Sequence, residues 1–271
     1  ITLVEEVPVN KSEIEGISRI VSHLDTPEFG PAVDEFLRTI APFDMTCLFA
    51  FHPMSPPLLI HDGYSASVSR DALGSYLKGG YLLDPFYVAC TTGVDDGLRR
   101  MSDVAPDEFF ASDFAASHEV HPCISDESGT LIEEIGYIVT LTGGWRATYS
   151  LMRNRTAERF SETAFATLSD QAPLLGELVR QHADLMSITA AQPRSGEVDS
   201  VLEKAFSDLL TPAQFRVVNL ILRGHSNQSI AEELHITEGT AKLHRHNAYQ
   251  RLGVTSQADL FRMFINFLET N

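Results

Sequence analysis

From Thr237 to Asn247 the chain gathers hydrogen-bond donors on what their spacing makes one helix: Thr240, Lys242, His244, Arg245, His246 and Asn247. Side chains of these types reach base edges and phosphates when a helix enters the major groove. Thr240 and His244 are four apart and share a face, whereas Lys242, Arg245 and His246 project from an adjoining one. The six therefore cannot all meet bases together. Lys242 and Arg245 suit phosphates or base edges, and Asn247 suits a phosphate or a structural bond. Thr237 caps this helix. Ser226 and Asn227 open the preceding one, where free backbone N–H groups favour a phosphate. The competing reading is a solvated helix surface.

A second constellation is SYLKGGYLLDPFYVAC, residues 75–90, which sets one carboxylate, Asp84, among aromatic side chains. With Phe49, Phe51, Tyr64, Tyr81, Phe86, Tyr87 and Trp145 as candidate lining, such a pocket favours a small molecule offering an N–H or a cationic group. Two alternatives stay open. Asp84 can instead cap a helix starting at Pro85, and the alternation of Phe49 with Phe51 is also ordinary core. Catalytic patterns do not assemble. GYSAS at 63–67 lacks the second glycine of a nucleophile elbow, and no Gly-rich phosphate loop occurs. His118, His121 and Cys123 are interrupted by Pro122 and lack a fourth ligand, while Asp95-Asp96 sits in the turn-like TGVDDG. No catalytic residue, metal or cofactor is assigned, and an enzyme is not expected.

The elements that must carry these residues are well punctuated toward the C-terminus. Thr211 with Pro212 and Gln214 forms a capping box, and Gly224 stops the first helix. Ser226 caps a short second helix ending near Leu234. Thr237 begins the third, which Gly253 stops near Leu252, and Ser256 caps a fourth. The second and third helices, joined through His235-Ile236, make a helix-turn-helix. The apolar face of the fourth, with Leu260, Phe261, Phe264, Ile265 and Leu268, is expected either to cover the first helix or to pair two copies.

Upstream, periodicity predicts helices over 12–24, 28–41, 68–77 and 162–186, the last with Pro173 as a kink point. Strands are expected over 45–52, 58–61, 135–141 and 147–153, with a hairpin at Thr142-Gly143-Gly144. These elements suit an α/β (α+β) sensor, an antiparallel sheet with flanking helices, followed by an all-α four-helix unit. The expected division is a sensing and dimerisation domain over 1–188, a linker over 189–205 around TAAQPRSGEV, and a DNA-binding domain over 206–271.

The 271 residues are 44% hydrophobic, enough for a core, and carry a net charge of −17. All of that excess lies early: residues 1–199 hold 13 basic and 30 acidic side chains, residues 200–271 hold 7 of each. Phosphate binding follows the local field, so the acidic total does not exclude nucleic acid. Cys47, Cys90 and Cys123 have no metal or redox spacing, which suits a reducing compartment. Apolar runs fall short of the ~18 residues of a membrane span, and Glu5 and Glu6 stand where a signal peptide is basic. A cytoplasmic protein without a membrane partner is expected.

Leu210-Thr211, Gly224, Ser226-Asn227, Ile230-Ala231, Leu234, Ile236, Thr240, Lys242, His244, Asn247 and Leu252-Gly253-Val254 make this stretch closely resemble the LuxR-type (GerE-like) helix-turn-helix of bacterial transcription regulators. It departs from the pattern at Gln214, usually acidic, at Ala241 and Leu243, usually valine, and at Arg251, usually lysine. The resemblance implies a homodimer on a near-palindromic operator in double-stranded DNA, with RNA polymerase as a further partner. The order of elements before it is similar to GAF- or PAS-like sensors and to the ligand domain of LuxR-type quorum sensors, which enclose a small-molecule effector. In those sensors an aspartate before proline bonds the ligand amide, and Tyr76, Tyr81, Asp84 and Pro85 look similar with spacing one residue shorter. Their upstream tryptophan has no counterpart, Trp145 being the only one in the chain, which counts against an acyl-homoserine lactone. The alternative implied is an N-terminal module that binds a protein instead of a small molecule.

Overall fold

The computed structural model describes residues 11–64, 70–111, 131–154, 157–188 and 198–270. Helices α1 (Lys11–Ser22) and α2 (Phe29–Arg38) lead into the hairpin of β1 (Met45–His52) and β2 (Ser55–Gly63). Next come α3 (Arg70–Lys78), a 3-10 turn over Gly80–Leu83, α4 (Pro85–Thr92), β3 (Gly97–Arg100) and the single turn α5 (Met101–Val104). Strands β4 (Leu131–Thr140) and β5 (Arg146–Asn154) are followed by α6 (Glu162–Asp170) and α7 (Ala172–Leu185). The strands form one antiparallel sheet in the order β2-β1-β5-β4-β3.

Strand β1 is buried along its whole length because both faces of the sheet are covered. Met45, Cys47, Phe49 and Phe51 face the α3 and α4 side, whereas Leu48 and Ala50 face the cluster built from α1, α2 and α7. On the latter side a polar cluster fastens α2 to the sheet. Asp34 Oδ1 accepts from Tyr149 Oη at 2.7 Å, its Oδ2 accepts from Thr46 Oγ1 at 2.8 Å, and His61 Nε2 lies 3.2 Å from the same oxygen. Gly30 makes room for the imidazole, since a Cβ there would lie 2.2 Å from His61 Cγ.

The expected helix over 162–186 is two helices, broken at Gln171. Pro173 has no N–H to continue the ladder, so α7 restarts with this proline in its first turn. Strand β3 and α5 were not expected, because four residues are too few for a period to register. The hairpin between β4 and β5 turns through Gly143 and Gly144, at φ 67° and 81°, a region that favours glycine.

The C-terminal unit comprises the four helices α9 (Pro212–Leu222), α10 (Asn227–Glu233), α11 (Glu238–Leu252) and α12 (Gln257–Thr270), preceded by α8 (Val198–Phe206). Helix α8 lies largely within 189–205, the stretch read as a linker. Thr211 and Gln214 form the expected capping box, Ser226 and Thr237 cap α10 and α11, and Gly253 ends α11 at φ 68°. The apolar face of α12 is occupied inside the chain. Leu260, Phe264, Ile265 and Leu268 are buried, α12 packs on α9 and on α3, and Phe264 stacks on Phe206 at 6.1 Å. One apolar cluster thereby runs from the α3 and α4 side of the sheet into the four-helix unit. Among the described residues no helix is long and apolar enough to cross a membrane.

Candidate nucleic-acid interface and ligand cavity

Helix α11 is held by Ala241, Ala248 and Tyr249, which are buried against its own unit. The opposite face is open, with Lys242, Leu243, His246 and Gln250 exposed. A groove of about 490 Å³ runs between the start of α10, α11 and the turn after it, lined by Asn227, Lys242, Arg245, His246, Tyr249, Gln250, Val254 and Thr255. Four residues expected from sequence, Asn227, Lys242, Arg245 and His246, therefore share one surface. Thr240, His244 and Asn247 are half-buried on its flank. Ser226 and Thr237 act as caps, accepting from the N–H groups of Ser229 and Thr240 at 3.1 Å each.

The groove is cationic where it meets α11. Lys242 Nζ is paired with Glu238 at 2.7 Å, but both are exposed, so the pair is weak and easily exchanged for a phosphate. The Arg245 guanidinium lies over the Tyr249 ring at 5.2 Å. Asn227 Oδ1 is buried with no hydrogen-bond partner among the described residues, a polar atom of the kind that a ligand or water satisfies. Sequence reasoning missed Leu243, which is 57% exposed in the middle of the face. An apolar side chain there suits the methyl of a thymine. The signal was available: Lys242, Leu243 and His246 fall on one face by spacing alone.

The second site lies under α3 and α4. Asp84 accepts the Phe86 N–H on Oδ1 and the Tyr76 hydroxyl on Oδ2, both at 2.7 Å, so it is the cap of α4 and also the carboxylate of an aromatic cluster. Phe49 stacks on Phe51 at 5.8 Å, Phe51 meets Tyr87 edge-on at 5.6 Å, and Tyr87 meets Tyr81 at 5.0 Å. A cavity here is lined by Cys47, Phe49, Phe51, Tyr64, Tyr76, Asp84, Phe86, Glu134, Thr148 and Ser150. Its volume is about 10 Å³, at the limit for a single water.

Of the lining expected from sequence, Phe49, Phe51, Tyr64, Asp84 and Phe86 border the cavity, and Tyr81 and Tyr87 back it. Trp145 does not; it is buried in the cluster on the other face of the sheet, 5.2 Å from His52. Cys47, Glu134, Thr148 and Ser150 were missed. For Glu134, Thr148 and Ser150 the alternation along the strands is in sequence that of a solvated face, and only the helices laid over it show otherwise. Gly136 admits the Phe86 ring, since a Cβ there would lie 2.8 Å from it. Burial pushes the Cys90 thiol, 3.2 Å from Thr148 Oγ1, up to about 12, so this cysteine stays protonated and inert. His118, His121 and Cys123 lie outside the described residues.

An antiparallel sheet with helices on both faces is joined to a helix-turn-helix whose third helix of four, α11, presents cations to solvent. Residues 208–264 match the family described as bacterial regulatory proteins, luxR family. An HTH-type transcriptional regulator from the exeN 3' region of Aeromonas salmonicida is 30% identical over 195 residues, covering 69% of this chain and 95% of that protein. The transcriptional regulatory protein MctR of Rhizobium johnstonii is 48% identical over 56 residues, 21% of this chain and 26% of its own length. The crystal structure of the VqsR LBD domain from Pseudomonas aeruginosa superposes with a TM-score of 0.54 at 22% identity, covering 65% of this chain and 99% of that one. The chain belongs to the HTH-type transcriptional regulators with a LuxR-family DNA-binding region.

Proposed function

We propose that this regulator is controlled by a small molecule bound at Asp84 and that two copies recognise a near-palindromic operator in the cytoplasm. Residues 1–188 serve as sensor and dimerisation unit in this reading, and residues 206–271 as the DNA-binding unit. The observation that carries ligand control is Asp84, a buried carboxylate set among aromatic rings beneath a sheet face bearing Thr148, Ser150 and Glu134. Such a site favours an effector with an N–H or ammonium group. The cavity holds only about 10 Å³, so an effector must displace Tyr64, Tyr76 or Phe86. Tyr76 lies on α3, and just beyond α3 a Cβ on Gly79 would clash with Leu268 of α12 at 2.6 Å and press on Val201 of α8 at 3.2 Å. Moving α3 therefore shifts the population of helix-turn-helix positions.

A thermal-shift series of amines, amino acids and acyl-lactones on the full chain tests this. A true effector at ~100 times its Kd stabilises the fold by about 2.7 kcal/mol, and Asp84→Asn abolishes the shift. The small cavity supports a second reading, a sensor that binds a protein partner. Absence of any hit, with DNA binding intact and a partner captured through residues 1–188, favours that reading.

A further inference from the structure

Helix α9 ends at Leu222, two residues before Gly224, and the three residues from Gly224 to Ser226 are clasped by a loop of the N-terminal unit. The Glu108 backbone N–H donates to the Gly224 carbonyl at 3.0 Å. The Ser226 backbone N–H donates to Asp107 Oδ1 at 2.9 Å. Gly224, at φ 91°, allows this approach, because a Cβ there would lie 2.8 Å from Phe109 Cα. Phe109 itself is buried in the apolar cluster shared by the two units. Burial works against ionising Asp107, but its hydrogen bonds with Ser226 outweigh that and hold the carboxyl below the usual range. The carboxylate is therefore the form the contact selects. Ser226 adjoins Asn227, which lines the cationic groove of α11. A DNA strand following that groove meets a fixed negative charge where its own phosphate would need the N–H.

We infer that Asp107 and a DNA phosphate compete for the Ser226 backbone N–H, so that the clasped arrangement is the weak-binding state and release of loop 106–109 raises DNA affinity. The inference rests on the DNA-binding reading of the helix-turn-helix. The clasp also has a path to the effector cavity: loop 106–109 follows α5, and α5 packs on α4, the helix that Asp84 caps.

The test is fluorescence anisotropy of the full chain with a short mixed-sequence DNA duplex, alongside hydrogen exchange at the Ser226 amide without DNA. Asp107→Ala is expected to bind about tenfold tighter than wild type, the scale of one charge-assisted hydrogen bond, and to exchange the Ser226 amide faster. Glu108→Ala removes the same charge one residue on while keeping its backbone bond, and is expected to leave affinity unchanged. Equal affinities for wild type and Asp107→Ala overturn the competition, as does an equal gain from Glu108→Ala. If Asp107→Ala melts early, the isosteric Asp107→Asn replaces it, with a smaller gain expected and no gain overturning the inference. Failure of the folded wild type and of every variant to bind the duplex would overturn the DNA-binding reading and the competition with it.

Discussion

Asp84 caps α4 and satisfies the buried Tyr76 hydroxyl with the same carboxylate. Asp84→Ala removes both bonds and is expected to destabilise the chain by about 2–3 kcal/mol, read as a lower urea midpoint. Asp84→Asn keeps an acceptor for the cap, so a loss of less than about 1 kcal/mol is expected. That difference makes Asn the substitution suited to testing ligand response. His182 makes the fold sensitive to acid. It stacks on Phe29 at 4.0 Å and accepts the Asp25 N–H on Nδ1, and burial lowers its pKa to about 4. The unfolded chain then binds a proton near pH 6.5 that the folded chain refuses until about pH 4. Stability from this group is full above pH 6.5 and falls away between there and pH 4. Melting temperatures followed over that interval should decline in wild type and decline less in His182→Gln.

At the scale of elements, the sheet face under α3 and α4 is shaped by what Gly136 leaves out. Gly136→Ala places a methyl 2.8 Å from the Phe86 ring and 2.7 Å from Thr148 Cγ2, an overpacking expected to cost about 1–3 kcal/mol in a urea titration. The same element shows what could be read in advance. The caps of the C-terminal helices were legible because Thr211, Ser226, Thr237 and Gly253 act on their nearest neighbours in sequence. Strand β1 and the hairpin glycines were legible for the same reason. Glu134, Thr148 and Ser150 were not, because polar residues at alternate strand positions look alike whether water or a helix covers them. Trp145 was misplaced for the converse reason: an aromatic residue beside a turn carries no record of which face of the sheet receives it. The break at Gln171 needed the proline's steric effect to outweigh an apolar period that runs through it.

At the scale of the whole molecule, the acidic body and the locally cationic helix-turn-helix are one packed structure, joined by the 106–109 clasp and by α3 against α12. Binding of duplex DNA should therefore depend on the charges of α11 and not on the chain total. Lys242→Ala is expected to weaken binding and to lower the slope of log affinity against log salt by about one, measured by anisotropy across a potassium chloride series. Whether α11 reads DNA in a paired regulator is tested by selecting duplexes from a random-sequence library with the full chain and sequencing those retained. An enriched near-palindrome of two related half-sites is expected, lost from the selection with Lys242→Ala. Recovery of no sequence above the starting library, from protein that is folded and retains duplex DNA non-specifically, would contradict it.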